Sequence, residues 1–158
     1  MNRIEQVTIK EMVSNNMDIS NCLGFTGDLK KCIKNDRFKH YIDDIKVVQN
    51  TTRFLNYLNY KIYKNSFRRH SKRLKVVPVV EGGWSSNIRF HIHLVMEYPD
   101  TKIISNSDFN LLLLRCWYKT FYRYDHPHIH TKTDLGWVGY MTKFYEKDDF
   151  VDWVNVTI

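Results

Sequence analysis

Residues 89–99 read RFHIHLVMEYP, and they constrain the fold more than any other stretch. Along a β-strand, successive side chains point to opposite faces. Phe90, Ile92, Leu94 and Met96 then share one face, and all four are apolar. That face has to lie on a core. His91 and His93 share the other face with Val95, their Cβ atoms roughly 6–7 Å apart at a rise of ~3.3 Å per residue. The preceding LKVVPVVE, residues 74–81, is rich in β-branched residues and reads as a second strand. Pro78 inside it has no N–H to give, which suits an edge or a bulge. Gly82-Gly83 marks a turn, so the two strands form a hairpin. If the hairpin folds about Ser86, Glu81 stands opposite His91.

Other elements follow from period and punctuation. Residues 19–26 (ISNCLGFT) read as an early strand. Thr51 or Thr52 caps a helix whose apolar positions are Phe54, Leu55, Leu58 and Ile62. Ser107 caps a second helix with Phe109, Leu112, Leu113, Cys116 and Trp117 on one stripe. Residues 128–131 read as a short strand, and Thr133-Asp134 starts a helix running from Leu135 to about Lys147. The tail, 150–158, alternates weakly and reads as a last strand. Helices and strands mixed around a central hairpin argue an α+β fold, an antiparallel sheet with helices packed on it. At 158 residues, with no repeat and no Pro/Gly-rich linker, the chain makes one domain over 1–158.

Two imidazoles at strand spacing can grip one divalent ion, or they can be two half-exposed surface histidines. A third donor decides between these, and Glu81 is the candidate. Two His and one carboxylate suit Mn²⁺ or Mg²⁺ and leave coordination positions open for substrate oxygens. Glu97 is either a further ligand or a solvated strand end. A second His-x-His lies in DHPHIHTK, residues 125–132. His126, His128 and His130 have only Asp125 as a carboxylate partner, so they fit better as the lining of a groove or as sheet-edge packing than as the metal site.

LGWVGYMTKFYEK, residues 135–147, adds a nucleophile. Tyr140 and Lys143 are three apart and share a helix face. Leu135, Val138, Met141, Thr142 and Tyr145 form the buried stripe, and Tyr140, Lys143 and Lys147 turn away from it. Nearby cations favour the phenolate of a group whose ordinary pKa is about 10. An amphipathic helix with a surface tyrosine would show the same pattern.

The net charge is +7 and the isoelectric point about 9.3. A basic domain of this size suits a polyanionic partner, nucleic acid above all. The densest block, residues 61–75 (KIYKNSFRRHSKRLK), offers Arg68, Arg69, Lys72 and Arg73 as nucleic-acid contacts, with Arg89 and Lys147 elsewhere. Ten Tyr, nine Phe and four Trp exceed the needs of such a core, and surface aromatics stack on unpaired bases. Three cysteines, an odd count without CxxC spacing, fit neither a disulfide framework nor a zinc ribbon. There is no GxxxxGK[ST] loop, hence no nucleotide-driven motor and no nucleotide cofactor. No apolar run nears the ~20 residues of a membrane span, and MNRIEQVTIKEM lacks the apolar stretch of a signal peptide. An intracellular, membrane-free setting is expected.

HIH at 91–93, the acid Glu81 upstream and YMTK at 140–143 together resemble the HUH endonucleases, in particular the single-tyrosine rolling-circle replication initiators of small viruses, phages and plasmids. EGGWSSNIRFHIHLVME is similar to their second motif and GYMTKF to their third; CLGFT, 22–26, is a degenerate form of their first. The similarity covers about residues 20–147. It implies a central antiparallel sheet of about five strands with helices on it, akin to RNA-recognition folds. It implies that His91, His93 and Glu81 hold Mn²⁺ or Mg²⁺. It implies that Tyr140 attacks single-stranded DNA, at an origin or hairpin, to give a 5′-phosphotyrosine and a free 3′-OH. Lys143 would orient or stabilise the charge at that step.

The chain departs from that pattern in places. Many relatives carry Gln where Glu97 stands. The larger viral initiators fuse a helicase domain, which this chain lacks, so a separate helicase is expected as a partner. Relaxases carry their tyrosine ahead of the histidines, and the first tyrosine here is Tyr41. HUH transposases share the order but place Gln where YxxK stands, and rank second. Two-histidine phosphoesterases need Thr or Ser where His93 and His130 stand. A non-catalytic single-strand or RNA binding module, or a catalytically idle partner, remains the reading from another class. The host compartment would be bacterial cytoplasm, or the nucleus for a eukaryotic virus.

Overall fold

The computed structural model describes residues 3–35, 37–83, 88–143 and 149–158, and the side chains from residue 6 onward. The elements are α1 (Arg3–Asn16), β1 (Cys22–Asp28), β2 (Cys32–Asn35), β3 (Phe38–Tyr41), α2 (Asp44–Tyr63), α3 (Asn65–His70), β4 (Val76–Glu81), β5 (His91–Glu97), α4 (Asn106–Trp117), β6 (His128–His130), α5 (Leu135–Met141) and β7 (Phe150–Val151). Five strands form one antiparallel sheet in the order β6-β1-β5-β4-β7, and β2 with β3 forms a separate two-stranded ribbon. The chain is therefore α+β, a five-stranded antiparallel sheet with helices packed on it.

The sheet's two faces have separate jobs. One carries Leu23, Phe25, Val76, Val80, Ile92, Leu94 and Met96 into the main core under α2 and α4. Phe25, Phe54 and Trp117 meet there at ring separations of 5.3–5.5 Å. Contacts of this kind contribute about 0.5–1.5 kcal/mol each beyond the area they bury. The other face is apolar only in part. Val77, Val79, Val95 and Val151 meet Ile9 and Val13 of α1 and Val138 and Met141 of α5. The rest of that face is polar, and it is where His91 and His93 emerge.

The predicted hairpin forms, with Glu81 opposite His91. The Pro78 carbonyl accepts from the Asp152 amide at 3.0 Å. Carbonyl and nitrogen of one strand residue point the same way, so the missing Pro78 N–H costs the β4–β5 ladder nothing. It faces β7, which pairs over only two residues.

Several boundaries differ from expectation. The early strand starts at Cys22, because Asp18 caps a 3₁₀ turn over Ile19–Asn21. Thr51 and Thr52 do not cap α2; Asp43 does, accepting from the Lys46 amide at 2.8 Å. Both threonines sit inside the helix, their hydroxyls donating to the carbonyls of Val47 and Val48. Ser105, not Ser107, caps α4. The last strand shrinks to Phe150–Val151 plus a bridge from Thr157 to Val76. α5 ends at Met141 with Thr142 as its cap, well short of Lys147. Lys143 thus lies past the helix end, Leu135 is exposed rather than buried, and Tyr145 and Lys147 fall outside the described residues. Sequence reading offered no element for α1 or for the β2–β3 ribbon.

Candidate active site

The polar part of the second sheet face is assembled by register. Thr26 of β1 pairs with both His93 and His128, Gly24 with His130, and Asp28 with His91. Paired residues share a face, so three strands bring four histidines, Thr26 and Asp28 to one surface. Glu81 joins from β4.

His93 is the centre. It is 4% exposed, and both ring nitrogens are engaged: Nε2 lies 2.8 Å from Glu81 Oε2 and Nδ1 3.0 Å from Thr26 Oγ1. Burial holds its pKa below the ordinary value of 6.5, and the neighbouring Glu81 only partly opposes this. The ring is therefore neutral at pH 7. An ionised carboxylate only accepts, so Nε2 carries the proton and Thr26 donates to Nδ1. A hydroxyl can also accept. Thr26 can thus hold the other tautomer, with Nε2 free to bind an ion, which is how an outer partner tunes a ligating histidine.

His91 stands beside His93, rings nearly parallel with centroids 6.3 Å apart. Its Nε2 lies 3.4 Å from Asp28 Oδ1, and its Nδ1 is buried without a partner. Two acid–imidazole pairs therefore lie side by side, His93–Glu81 and His91–Asp28. Their chemistry fits a hard divalent ion: imidazole plus carboxylate, with one orphaned ring nitrogen. The 2.8 Å between His93 Nε2 and Glu81 Oε2 is close to the ~3 Å between adjacent ligands of an octahedral ion with ~2.1 Å bonds. Among the described residues, no three of these donors converge on one point as they stand. Asp28 was missed in the sequence; its i+2 spacing from Thr26 puts the two on one face of β1, but that this face meets His91 shows only in the strand pairing.

Tyr140 arrives from α5. Its ring is 49% exposed and 5.9 Å from the His93 ring, edge to face. The Lys143 ammonium lies 6.0 Å from the Tyr140 ring centroid. The predicted partnership is thus present, although a turn past the helix end supplies it. Trp137, unassigned in the sequence, sets the position. Its indole donates to the Leu94 carbonyl at 3.2 Å and lies over Gly24. It touches His130 at 4.3 Å and Tyr140 at 5.5 Å between ring centroids. A shallow cavity of about 480 Å³ opens here, lined by Thr26, His93, His128, His130, Trp137 and Tyr140. The second His-x-His therefore does line the groove, on the edge strand β6. Burial and the adjacent His128 hold His130 below its ordinary pKa.

The remaining candidates fall elsewhere. Glu97 sits at the far end of β5, 3.4 Å from Lys75 and accepting from the Asp18 amide, away from the histidines. Arg68, Lys72 and Arg73 lie over Tyr60, Tyr63 and Phe67; Arg68 and Arg69 are on the short helix α3, and Lys72 and Arg73 follow its end. That block precedes Val76, and so lies at the opposite end of β4 from Glu81. Arg89 is closer: it and Lys30 flank the Tyr124 ring, whose amide donates to the Asp28 carbonyl. Lys147 lies outside the described residues. Cys22, Cys32 and Cys116 are free thiols, and burial with nearby Glu97 pushes Cys22 up to about 12.

No helix among the described residues is long and apolar enough to cross a membrane. Comparison with known proteins gives no match: no family model, no curated relative and no solved structure aligns significantly with this chain.

Proposed function

We propose that this chain is a metal-dependent enzyme of the HUH type that nicks and rejoins single-stranded DNA, and so initiates rolling-circle replication. One observation carries the reading. A tyrosine ring stands 5.9 Å from a buried, neutral histidine that is bonded to a carboxylate, on the open face of a five-stranded antiparallel sheet. His91, His93 and Glu81 would hold Mn²⁺ or Mg²⁺, with Asp28 beside them. The bound ion would polarise a phosphoryl oxygen of the strand. Tyr140 Oη gives its proton to solvent and attacks phosphorus. The P–O3′ bond breaks, O3′ takes up a proton, and the 5′ phosphate stays on the tyrosine. Lys143, 6.0 Å from the ring centroid, would help orient the strand or offset the charge that develops on the phosphoryl oxygens. Reversal by a 3′-OH reseals or transfers the strand without a nucleotide cofactor. A separate helicase would open the duplex.

The test is an SDS-resistant adduct with a randomised single-stranded DNA pool and Mn²⁺. The adduct should vanish with Tyr140→Phe and with EDTA. A non-catalytic binding module, supported by Tyr124 between Lys30 and Arg89, would bind the pool equally well with either change and give no adduct. An adduct that survives Tyr140→Phe would refute the assignment of the nucleophile.

A further inference from the structure

A second cavity, of about 510 Å³, opens on the other side of the sheet, where the β2–β3 ribbon meets the first half of α2. The size is within the range of small-molecule sites, roughly 300–1,000 Å³. Its polar lining is rich in donors, three of them cationic. Lys34 and Asn35 come from β2, His40 from β3, and Lys46, Gln49, Asn50 and Arg53 from α2. Among the described residues no carboxylate lines it. Lys46 is already committed to Asp43 at 2.8 Å, and among the described residues Lys34 and Arg53 form no ion pair. A basic hollow with no acid among its described lining residues favours an anion.

Two further features narrow the anion. Phe121 stands at the rim, 59% exposed, with the Arg53 guanidinium 4.8 Å above its ring. An exposed ring beside an arginine is a stacking platform for a planar heterocycle. In the wall, Asn50 is 3% exposed, and its Oδ1 accepts from the Tyr122 amide at 3.4 Å. That bond fixes the amide's orientation and leaves Nδ2 buried with no partner. Unpaired buried donors are rare in native proteins and call for an explanation. Nδ2 makes no contact with solvent, so a ligand oxygen would supply one only with a turn of the Asn50 side chain into the cavity.

We propose that this cavity binds a nucleotide, its base stacked on Phe121 and its phosphate held between Lys34 and Arg53. The site is independent of Tyr140 and the histidines, which stand on the opposite face of the sheet. The nucleotide is either a free nucleoside monophosphate or a phosphorylated residue of a strand; the chemistry recognised is the same.

Titration calorimetry on the full chain tests this with AMP, adenosine and inorganic phosphate as separate probes. AMP should bind at least tenfold tighter than either fragment. Arg53→Gln and Phe121→Leu, both at exposed positions, should each weaken it at least fivefold, with unchanged circular dichroism. Tyr140→Phe should leave it unchanged, so failure here and failure of the nicking reaction are separately visible. A 5′-phosphorylated hexanucleotide that competes with AMP marks a strand residue as the ligand; one that does not marks a free nucleotide. AMP binding no tighter than phosphate, or insensitive to both variants, overturns the proposal.

Discussion

Gly24→Ala is the sharpest probe of how the tyrosine is held. The backbone at Gly24 is ordinary strand, paired with Val95 and His130. Ala should therefore stabilise by about 0.4–1 kcal/mol through the unfolded chain alone. The structure forecasts the opposite sign. A Cβ at Gly24 would lie 2.6 Å from Trp137 Cε2 and 2.8 Å from Nε1, so the indole must retreat roughly 0.8 Å to reach ordinary contact at 3.4 Å. Overpacking of this kind costs about 1–3 kcal/mol, and losing the indole's bond to Leu94 costs about 1 kcal/mol more. The net is a loss of about 1–3.5 kcal/mol, or roughly 2–14 °C in Tm for a chain this long. Trp137 shares α5 with Tyr140 and touches its ring, so the tyrosine shifts with it. A displacement near 1 Å at a reacting group can cost ~10²-fold in rate. The assays are thermal unfolding and the rate of adduct formation. Trp137→Phe in the same chain should relieve the clash, so the double variant should be more stable than the two single losses added together. A Gly24→Ala chain as stable as the parent, or single effects that simply add, would refute the clamp.

Glu81→Gln keeps an acceptor beside His93 but removes the charge; Mn²⁺ affinity measured by titration should fall at least ~10-fold, and unchanged affinity would remove Glu81 from the ion's shell. His93 has a folded pKa below its unfolded value of about 6.5, so the unfolded chain protonates first. Unfolding free energy should accordingly fall as pH drops below ~6.5 and down through the folded pKa, and His93→Gln should flatten that limb. Asp152 is buried and its carboxyl is held above the ordinary range by that burial, with Oδ1 lacking a partner. Asp152→Asn should therefore raise Tm at pH 7, and the gain should shrink as pH falls through the raised folded pKa and vanish only below about 3, where the carboxyl is protonated in both states; a gain independent of pH would point to a cause other than charge.

Legibility tracked how strongly each face is constrained. The β5 alternation places four apolar side chains on one face without ambiguity, and the register that set Glu81 opposite His91 followed from a short hairpin. The cap positions did not read as well. Asp43, Thr51 and Thr52 are all good caps by residue type, and only the buried Val47, four residues after Asp43, puts the start of α2 there. α1 was illegible because its burial is narrow: Ile9, Val13 and Met17 cover a patch of valines, and half of the sheet face beside it stays open. The β2–β3 ribbon is mostly exposed and carries no alternating pattern to read.

The site was legible in its donors and illegible in its neighbours, for a reason rooted in sheet geometry. Sequence spacing reveals which residues of one strand share a face; it says nothing about which strand lies alongside. His91 and His93 were paired from one strand. That β1 runs between β5 and β6, and so puts Thr26 against His93 on one side and His128 on the other, required the strand order. Hence the two His-x-His segments, which compete when read along the chain, are neighbours in space with divided work. The first pairs with carboxylates. The second has none within reach of a bond among the described residues and borders Trp137 and the open cavity. The carboxylates, more than the histidines, decide which of the two can hold a hard cation, because imidazole pairs alone leave its charge uncompensated.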